Sequence, residues 1–414
     1  MPSVPAPPRF HGPGRTVVRA AFVLALFGWG VGFYGPPVFL HAVLARTGWP
    51  LTLGSAALTC HFLCGAGIAA ALPAIHRRCG IPATTVAGAA LLATGVLGWA
   101  AADAPWQLFM AAMCTGAGWV PLGAAGIHAI VAPWFAEGRP LALAKAYNGA
   151  SVGGLVFSPL WTVLIERAGF PAAALLVGLA MLSVVLSIAN RELAWLPAGQ
   201  APACTTVPAC TALWRDRGFL TLAAAMALGL FAQIGLMSQL FSLLAAGLGT
   251  RQAGWTMALA AGCGMAGRFA MAWLLARRVD RRRAAAASYA VQAAGTLLLG
   301  WAGMEHTALV LCGAVLFGLG IGNATSLPPL IAQLEFAPAD ASRVVARSVA
   351  LSQALYAFAP ALLAGLLVRR PHADLVAAPS SGAFFVVLAL LQVSAALAVV
   401  SAPGPRPAAR AAPA

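Results

Sequence analysis

Long apolar stretches separated by short polar segments run along the whole sequence. Each stretch has roughly 20 residues or more with few charges, which is the length that an α-helix needs to cross the hydrocarbon core of a bilayer. The predicted spans are residues 16–45, 51–73, 82–101, 105–132, 140–165, 171–190, 218–246, 252–276, 284–303, 307–334, 343–368 and 380–402. We therefore predict an all-α membrane protein with twelve transmembrane helices.

The spans fall into two groups of six, separated by a polar segment that contains prolines. The predicted organisation is a cytoplasmic N-terminal tail at 1–15, a six-helix bundle at 16–190, a cytoplasmic linker at 191–217, a second six-helix bundle at 218–402 and a disordered tail at 403–414. The last segment is rich in Pro, Ala and Arg, a composition that cannot bury a core.

The two groups of spans also resemble each other at an offset near 200 residues. Arg77-Arg78 follows the second span and Arg277-Arg278 follows the eighth, while Pro159 in the fifth span corresponds to Pro360 in the eleventh. The fourth and tenth spans each carry glycines and proline: Gly116, Gly118, Pro121 and Gly123, against Gly318, Gly320, Gly322 and Pro328. Recurrence of this kind is typical of an internal repeat, which many transporter folds contain.

Composition agrees with a membrane protein. Of the 414 residues, 61% are hydrophobic and 8% are charged, against roughly 25% charged in an ordinary soluble domain. A water-soluble surface needs more charge than this, so a globular soluble fold is excluded. The eight cysteines form no Cys-x-x-Cys pair, so neither a zinc site nor a redox motif is predicted. We expect no metal and no cofactor.

The net charge of +15 is distributed in short basic runs between the spans. A nucleic-acid partner would need a basic soluble domain, which the sequence lacks, so none is predicted. With both termini in the cytoplasm, nineteen basic residues fall in cytoplasmic segments and five in outer loops. The positive-inside rule favours this orientation. We expect a monomer in the lipid bilayer of the cell's inner (plasma) membrane.

The start of the fifth span carries a motif. It contains Trp134-Phe135, Arg139, Leu141-Ala142, Gly149 and Gly153, and two shorter matches are Gly48-Trp49 and Gly267-Arg268. In these residues the chain resembles the major facilitator superfamily, and within it the monocarboxylate-transporter branch and its bacterial relatives. The resemblance implies a fold of two six-helix halves and the transport of a small organic anion.

The chain departs from that branch at three charged positions. Val38 follows Pro37 where the animal carboxylate carriers have a lysine, and Gly264 stands where they have an aspartate four residues before Arg268. The loop at Arg77-Arg78 also lacks the acidic residue that the superfamily usually has there. Three charged groups are associated with proton-linked carboxylate transport in that branch. The lysine and the aspartate are therefore absent here, and the arginine is present as Arg268.

Arg268 lies well inside the eighth span, about nine residues or roughly 13 Å of helix rise from the arginine-rich loop. An arginine in mid-membrane costs roughly 2.5–3.5 kcal/mol on insertion scales, so it is expected to face a cavity or a partner. Its planar guanidinium can bind a carboxylate through two parallel hydrogen bonds. The alternative is that Arg268 extends to the cytoplasmic interface beside the basic residues 277–283.

Other polar residues in the spans are further candidates, because the hydrocarbon region offers no water to satisfy them. The predicted substrate-binding residues besides Arg268 are Tyr34, Asn148, Asn323, Gln353 and Tyr356. The predicted proton-relay residues are His61 and His128, since histidine titrates near physiological pH. The predicted gating or motif residues are Arg77, Arg78, Arg139, Lys145 and Arg277. The competing uses are hydrogen bonds between helices and anchoring at the cytoplasmic interface.

We predict a secondary active transporter that moves a small organic anion, such as a monocarboxylate, by alternating access. The alternative is an efflux transporter for apolar or drug-like compounds. The stretch 153–159 lacks the Gly-Pro step of proton-antiporting exporters, and no span holds a central acid to pair with a cation. An enzyme is not predicted, because no serine or cysteine stands in a nucleophile motif.

Overall fold

The computed structural model describes residues 13–135, 139–193, 211–277, 279–303, 306–367 and 381–401. The predicted tails, apart from residues 13–15, and most of the predicted linker lie outside these residues. The described chain is built from α-helices and short 3₁₀ or π turns, with no strand among the described residues.

Eight α-helices form the first half of the described chain. They are α1 (Pro13–Gly32), α2 (Gly35–Thr47), α3 (Leu51–Cys79), α4 (Ile81–Ala101), α5 (Pro105–Trp119), α6 (Ala124–Val131), α7 (Arg139–Ala168) and α8 (Phe170–Ile188). The first predicted span is divided between α1 and α2, because Pro36 and Pro37 in the first turn of α2 have no N–H with which to continue the helix.

Eight more helices form the second half. They are α9 (Arg217–Leu248), α10 (Thr250–Ala276), α11 (Arg281–Trp301), α12 (Thr307–Ile321), α13 (Asn323–Glu335), α14 (Pro338–Tyr356), α15 (Ala359–Ala364) and α16 (Ser381–Val400). Ten helical segments of the described chain are long and apolar enough to cross a membrane. The other two predicted spans correspond to α11, which begins with three arginines, and to α14 with α15.

The repeat in the sequence has a counterpart in the backbone. The fourth span is interrupted between α5 and α6, where a 3₁₀ turn contains Pro121 and ends at Gly123. The tenth span is interrupted between α12 and α13 at Gly322. These breaks lie about 200 residues apart, as the recurring glycines suggest. The match is incomplete, because α9 is continuous where the first span is divided.

Helix packing follows the two halves. In the first half α1 packs on α7, and α4 packs on α5 and α8; in the second half α11 packs on α12 and α16, and α9 packs on α14 and α16. Four helix pairs make the main contacts between the halves: α7 with α10, α2 with α9, and α3 with both α14 and α15. A Cβ at Gly149 of α7 would lie 2.1 Å from the carbonyl oxygen of Phe22 in α1, so glycine is required for this close approach.

One buried ion pair joins the ends of four helices in the second half. Arg282, at the start of α11, donates from Nε and Nη2 to the two carboxylate oxygens of Glu335, at 2.6 Å each. Its remaining donors bond the carbonyls of Gly218 and Val399 and the hydroxyl of Thr221. The starts of α9 and α11 and the ends of α13 and α16 therefore lie on one side of the molecule. We call this the linker side, because α9 follows the linker.

Candidate functional site

Helices α7 and α10 pack antiparallel along a line of contacts that crosses the boundary between the halves. We call this line the α7–α10 seam. Its contacts, from the side opposite the linker towards the linker side, pair Thr250 with Glu166, Gly254 with Thr162, Ala261 with Gly154, and Arg268 with Ser151. In the middle of the seam the small residues Gly154, Gly254 and Ala261 let the helices approach closely, as is usual between membrane helices.

Arg268 lies at the linker-side end of the seam and is half-buried. Its Nη2 donates a hydrogen bond to the Ser151 hydroxyl across the boundary. Its aliphatic stem lies against the break between α12 and α13, where a Cβ at Gly322 would be 2.6 Å from Cγ of Arg268. Among the described residues no carboxylate lies within ion-pair distance of this guanidinium. The prediction that Arg268 turns inward towards other helices agrees with these contacts.

Tyr34 belongs to the same region. It precedes α2 at the division of the first span, is 4% exposed and lies within electrostatic range of Arg268. Its ring packs against Phe33, with 5.1 Å between ring centroids, and against Gly154 of the seam. The division of the span thus brings a phenol next to the guanidinium. We call Tyr34, Ser151 and Arg268 the central cluster.

Gln353 and Tyr356 lie at a second contact between the halves. Gln353 lies beside Tyr356, whose ring packs edge-on against Phe62 of α3 with 5.8 Å between centroids. A small cavity between the halves is lined by Phe62 of this contact and by Phe33, whose ring packs on Tyr34. The other lining residues are Pro37, Leu58, Ile234, Met237 and Ser238. The cavity wall is therefore mainly apolar.

Asn148 and Asn323 differ in their positions. Asn148 is half-buried in α7 and lies three residues before Ser151, on a neighbouring part of the same helix face. Asn323 is buried and donates to the Ser288 hydroxyl and to the Leu319 carbonyl, both at 3.2 Å. Ser288 belongs to α11, which packs within the second half. Asn148 therefore lies one helical turn from Ser151, whereas the Asn323 amide bonds groups within the second half.

The two histidines lie in contrasting surroundings. His61 is fully buried within the first half, and its Nδ1 lies 2.9 Å from the Thr115 hydroxyl, which also accepts a bond from Trp99. Its Nε2 faces the Gly32 carbonyl at the end of α1 without a well-formed hydrogen bond. His128 is exposed on α6. Neither histidine contacts Arg268, but His61 lies directly behind the division of the first span.

The predicted gating residues lie towards the linker side. Arg77 and Arg78 are exposed at the end of α3, and Lys145 is exposed on α7. The Arg277 guanidinium lies 3.6 Å from the centroid of the Trp273 ring, a cation–π contact. Trp273 is itself exposed, so this pair suits an anchor at the membrane interface. Arg278 and the side chain of Arg139 lie outside the described residues.

Two functional features were missed by sequence reasoning. Ser151 was not singled out, although it lies between the two glycines of the α7 motif, Gly149 and Gly153. Arg282 was counted only as one of several basic residues in a loop, and its pairing with Glu335 across 53 positions has no sequence signal.

A helical protein whose two halves meet along a few helix pairs, with a polar cluster and a small cavity at the boundary, has the architecture of a membrane transporter. The sequence profile of the Major Facilitator Superfamily matches residues 20–364. The chain belongs to this superfamily, which indicates a transporter rather than an enzyme, and the predicted fold class of twelve transmembrane helices is confirmed.

Solved structures support the same fold. The nucleoside transporter NupG superposes with a TM-score of 0.73 at 11% identity, covering 94% of this chain and 99% of that one. A bacterial homolog of the human lysosomal transporter Spinster, in an inward-facing and occupied conformation, gives a TM-score of 0.62 at 14% identity, covering 94% and 95%. No curated protein sequence matches the chain. At these identities the likeness concerns the fold alone.

Proposed function

We propose that this protein is a secondary active transporter for a small organic anion, and that Arg268 binds the anion's carboxylate. The observation that carries the proposal is the position of Arg268, which lies at the boundary between the halves with a hydroxyl as its hydrogen-bond partner. A guanidinium removed from water needs a counter-charge for part of the transport cycle. A substrate carboxylate supplies this charge, and its two oxygens fit the guanidinium edge.

The surroundings of Arg268 favour an anion with an apolar body, such as a monocarboxylate. Tyr34 adds a phenol hydroxyl near the charge. The cavity beside the cluster is lined mainly by Phe33, Leu58, Phe62 and other apolar side chains. One charged end and one apolar wall together suit a short carboxylic acid better than a dicarboxylate. The basic bias of the predicted cytoplasmic segments supports an inner-membrane protein with both termini in the cytoplasm.

Two other substrate classes compete with this proposal. The apolar cavity wall also suits efflux of an apolar compound, in which case Arg268 would have only a structural task. NupG is a nucleoside transporter, so a polar neutral solute is the other class to compare. A positive charge at the boundary disfavours cationic substrates in particular, because like charges repel.

The test is uptake into proteoliposomes of radiolabelled propionate, benzoate, uridine and a neutral dye, normalised to folded protein. We expect uptake of a carboxylate, abolished by Arg268→Gln. Arg251→Gln is the matched control, because Arg251 lies on the same helix but is exposed at the side opposite the linker. A wild-type rate and apparent affinity in Arg268→Gln would remove the main support and move the efflux function to first place.

A further inference from the structure

The Ser151 hydroxyl occupies the position on Arg268 that a carboxylate oxygen would take. We propose that Ser151 holds Arg268 when the transporter is empty, that the anion displaces this hydroxyl, and that Ser151 thereby sets the apparent affinity and couples anion binding to the separation of α7 from α10. This inference rests on the proposed function, since it takes the ligand of Arg268 to be a carboxylate.

The Arg268–Ser151 bond lies at one end of the α7–α10 seam. It is the contact of the seam nearest the linker side. Beyond it the two helices expose Ala144 and Lys145 on α7 and Phe269 and Ala272 on α10. When this terminal bond breaks, α7 and α10 can begin to separate at the linker side while the other contacts of the seam remain in place.

The Ser151 hydroxyl and the carboxylate of the anion compete for the guanidinium, and they differ in the strength of the hydrogen bonds that they accept. A hydroxyl is a neutral acceptor, whereas a hydrogen bond to a carboxylate is charge-assisted and roughly twice as strong. A carboxylate also accepts two parallel bonds from one guanidinium edge, while Ser151 accepts one from Nη2. The exchange of Ser151 for a carboxylate is therefore favourable at the guanidinium itself.

Of the two bonded residues, Ser151 is the one that moves when the bond breaks. The stem of Arg268 is held against the α12–α13 break, where there is no room for even a methyl group at Gly322. Ser151 lies in the middle of α7, and a serine in a helix can turn its hydroxyl to the carbonyl four residues earlier, which here is Tyr147. Release of Ser151 is therefore inexpensive, while displacement of Arg268 is not. Anion binding accordingly breaks the bond from the α7 side and frees one half from the other.

The experiment compares Ser151→Ala with wild type in binding and in conformation. Binding is measured by isothermal titration of propionate into the detergent-solubilised full-length protein. Loss of the competing hydroxyl should tighten the apparent affinity roughly tenfold, the size expected for a hydrogen bond to a charged group. Ser158→Ala is the matched control, because Ser158 is buried on the same helix and its hydroxyl has no partner in the described chain. Ser151→Thr keeps the hydroxyl and should behave like wild type.

The conformational measurement is the distance between fluorophores on unnatural amino acids at positions 144 and 272, which flank the end of the seam. We expect the distance to increase in wild type when propionate is added, and to be increased already in Ser151→Ala without propionate. Unchanged affinity and distance in Ser151→Ala, with uptake still lost in Arg268→Gln, would overturn the role of Ser151 alone. An increased distance in Ser151→Ala with no propionate binding to either protein would overturn this inference together with the proposed function.

Discussion

Two arginines in the second half, the buried Arg282 and the half-buried Arg268, have very different hydrogen-bond partners. Arg282 makes five hydrogen bonds, two of them to the carboxylate of Glu335 and the others to three further groups. Arg268 donates to the Ser151 hydroxyl and lies near the Tyr34 phenol. A buried guanidinium with all its donors used is part of the scaffold, whereas the proposed function assigns a carboxylate ligand to the guanidinium that is held by neutral groups.

The location of the two residues explains the difference. Arg282 joins helix ends that belong to one half and move together. Arg268 bonds across the boundary between halves that alternating access must separate. A full carboxylate partner on α7 would hold the two halves together too firmly for transport, since breaking a buried ion pair is strongly unfavourable. A hydroxyl gives a bond that a substrate can replace.

The largest effect is expected from breaking the scaffold pair. Arg282→Gln leaves the Glu335 carboxylate without its counter-charge and should lower the free energy of unfolding by about 3 kcal/mol. The measurement is thermal or SDS-induced unfolding of the purified protein. Arg283→Gln is the control, because Arg283 is the next residue and is exposed. Equal stability in the two variants would show that the Arg282 network is not a scaffold element.

The second prediction concerns the charge at the boundary. Arg268→Lys keeps the positive charge but replaces the planar fork with a point charge, so the apparent affinity for a carboxylate should weaken roughly tenfold. Its unfolding free energy should change by less than about 1 kcal/mol, in contrast to Arg282→Gln. Uptake kinetics and unfolding are measured on the same preparations. Wild-type affinity in Arg268→Lys would contradict binding through two parallel hydrogen bonds.

The third prediction concerns a substitution at Gly322 that displaces the Arg268 side chain and leaves Arg268 itself unchanged. In Gly322→Ala the added methyl lies 2.6 Å from Cγ of Arg268 and must displace the stem. The displaced guanidinium would no longer be aligned with the carboxylate, so the apparent anion affinity should fall roughly fivefold or more. Gly262→Ala is the control, since its Cβ would meet Leu155 at an ordinary 3.6 Å. Similar affinities in both variants would mean that the stem is not held at the α12–α13 break.

The smallest effects are expected at the histidines. His61→Gln loses the Thr115 hydrogen bond and should lower the unfolding free energy by about 1 kcal/mol, while exposed His128→Gln should change it by less than about 0.5 kcal/mol. The double variant tests the proton-relay hypothesis through pH-driven uptake, which we expect to decrease. Undiminished uptake would leave the substrate's own carboxyl group as the proton carrier.

The sequence by itself determined the approximate positions of the membrane spans. Apolar length, proline and glycine act within a single turn or span, so the division at Pro36-Pro37 and the breaks near Gly123 and Gly322 have local causes. The sequence also showed that Arg268 is inside a span, because the cost of a mid-membrane charge depends on depth along the helix.

Only the tertiary structure decided which polar groups meet. Arg268 and Ser151 are 117 residues apart and Arg282 and Glu335 are 53 apart. Their pairing depends on how helix faces rotate and pack, which no local pattern encodes. For the same reason the bond from the Asn323 amide to Ser288 of α11 has no signal in the sequence. The depth of a residue in the membrane follows from its position along one helix, whereas its hydrogen-bond partner follows from the way two helices pack against each other.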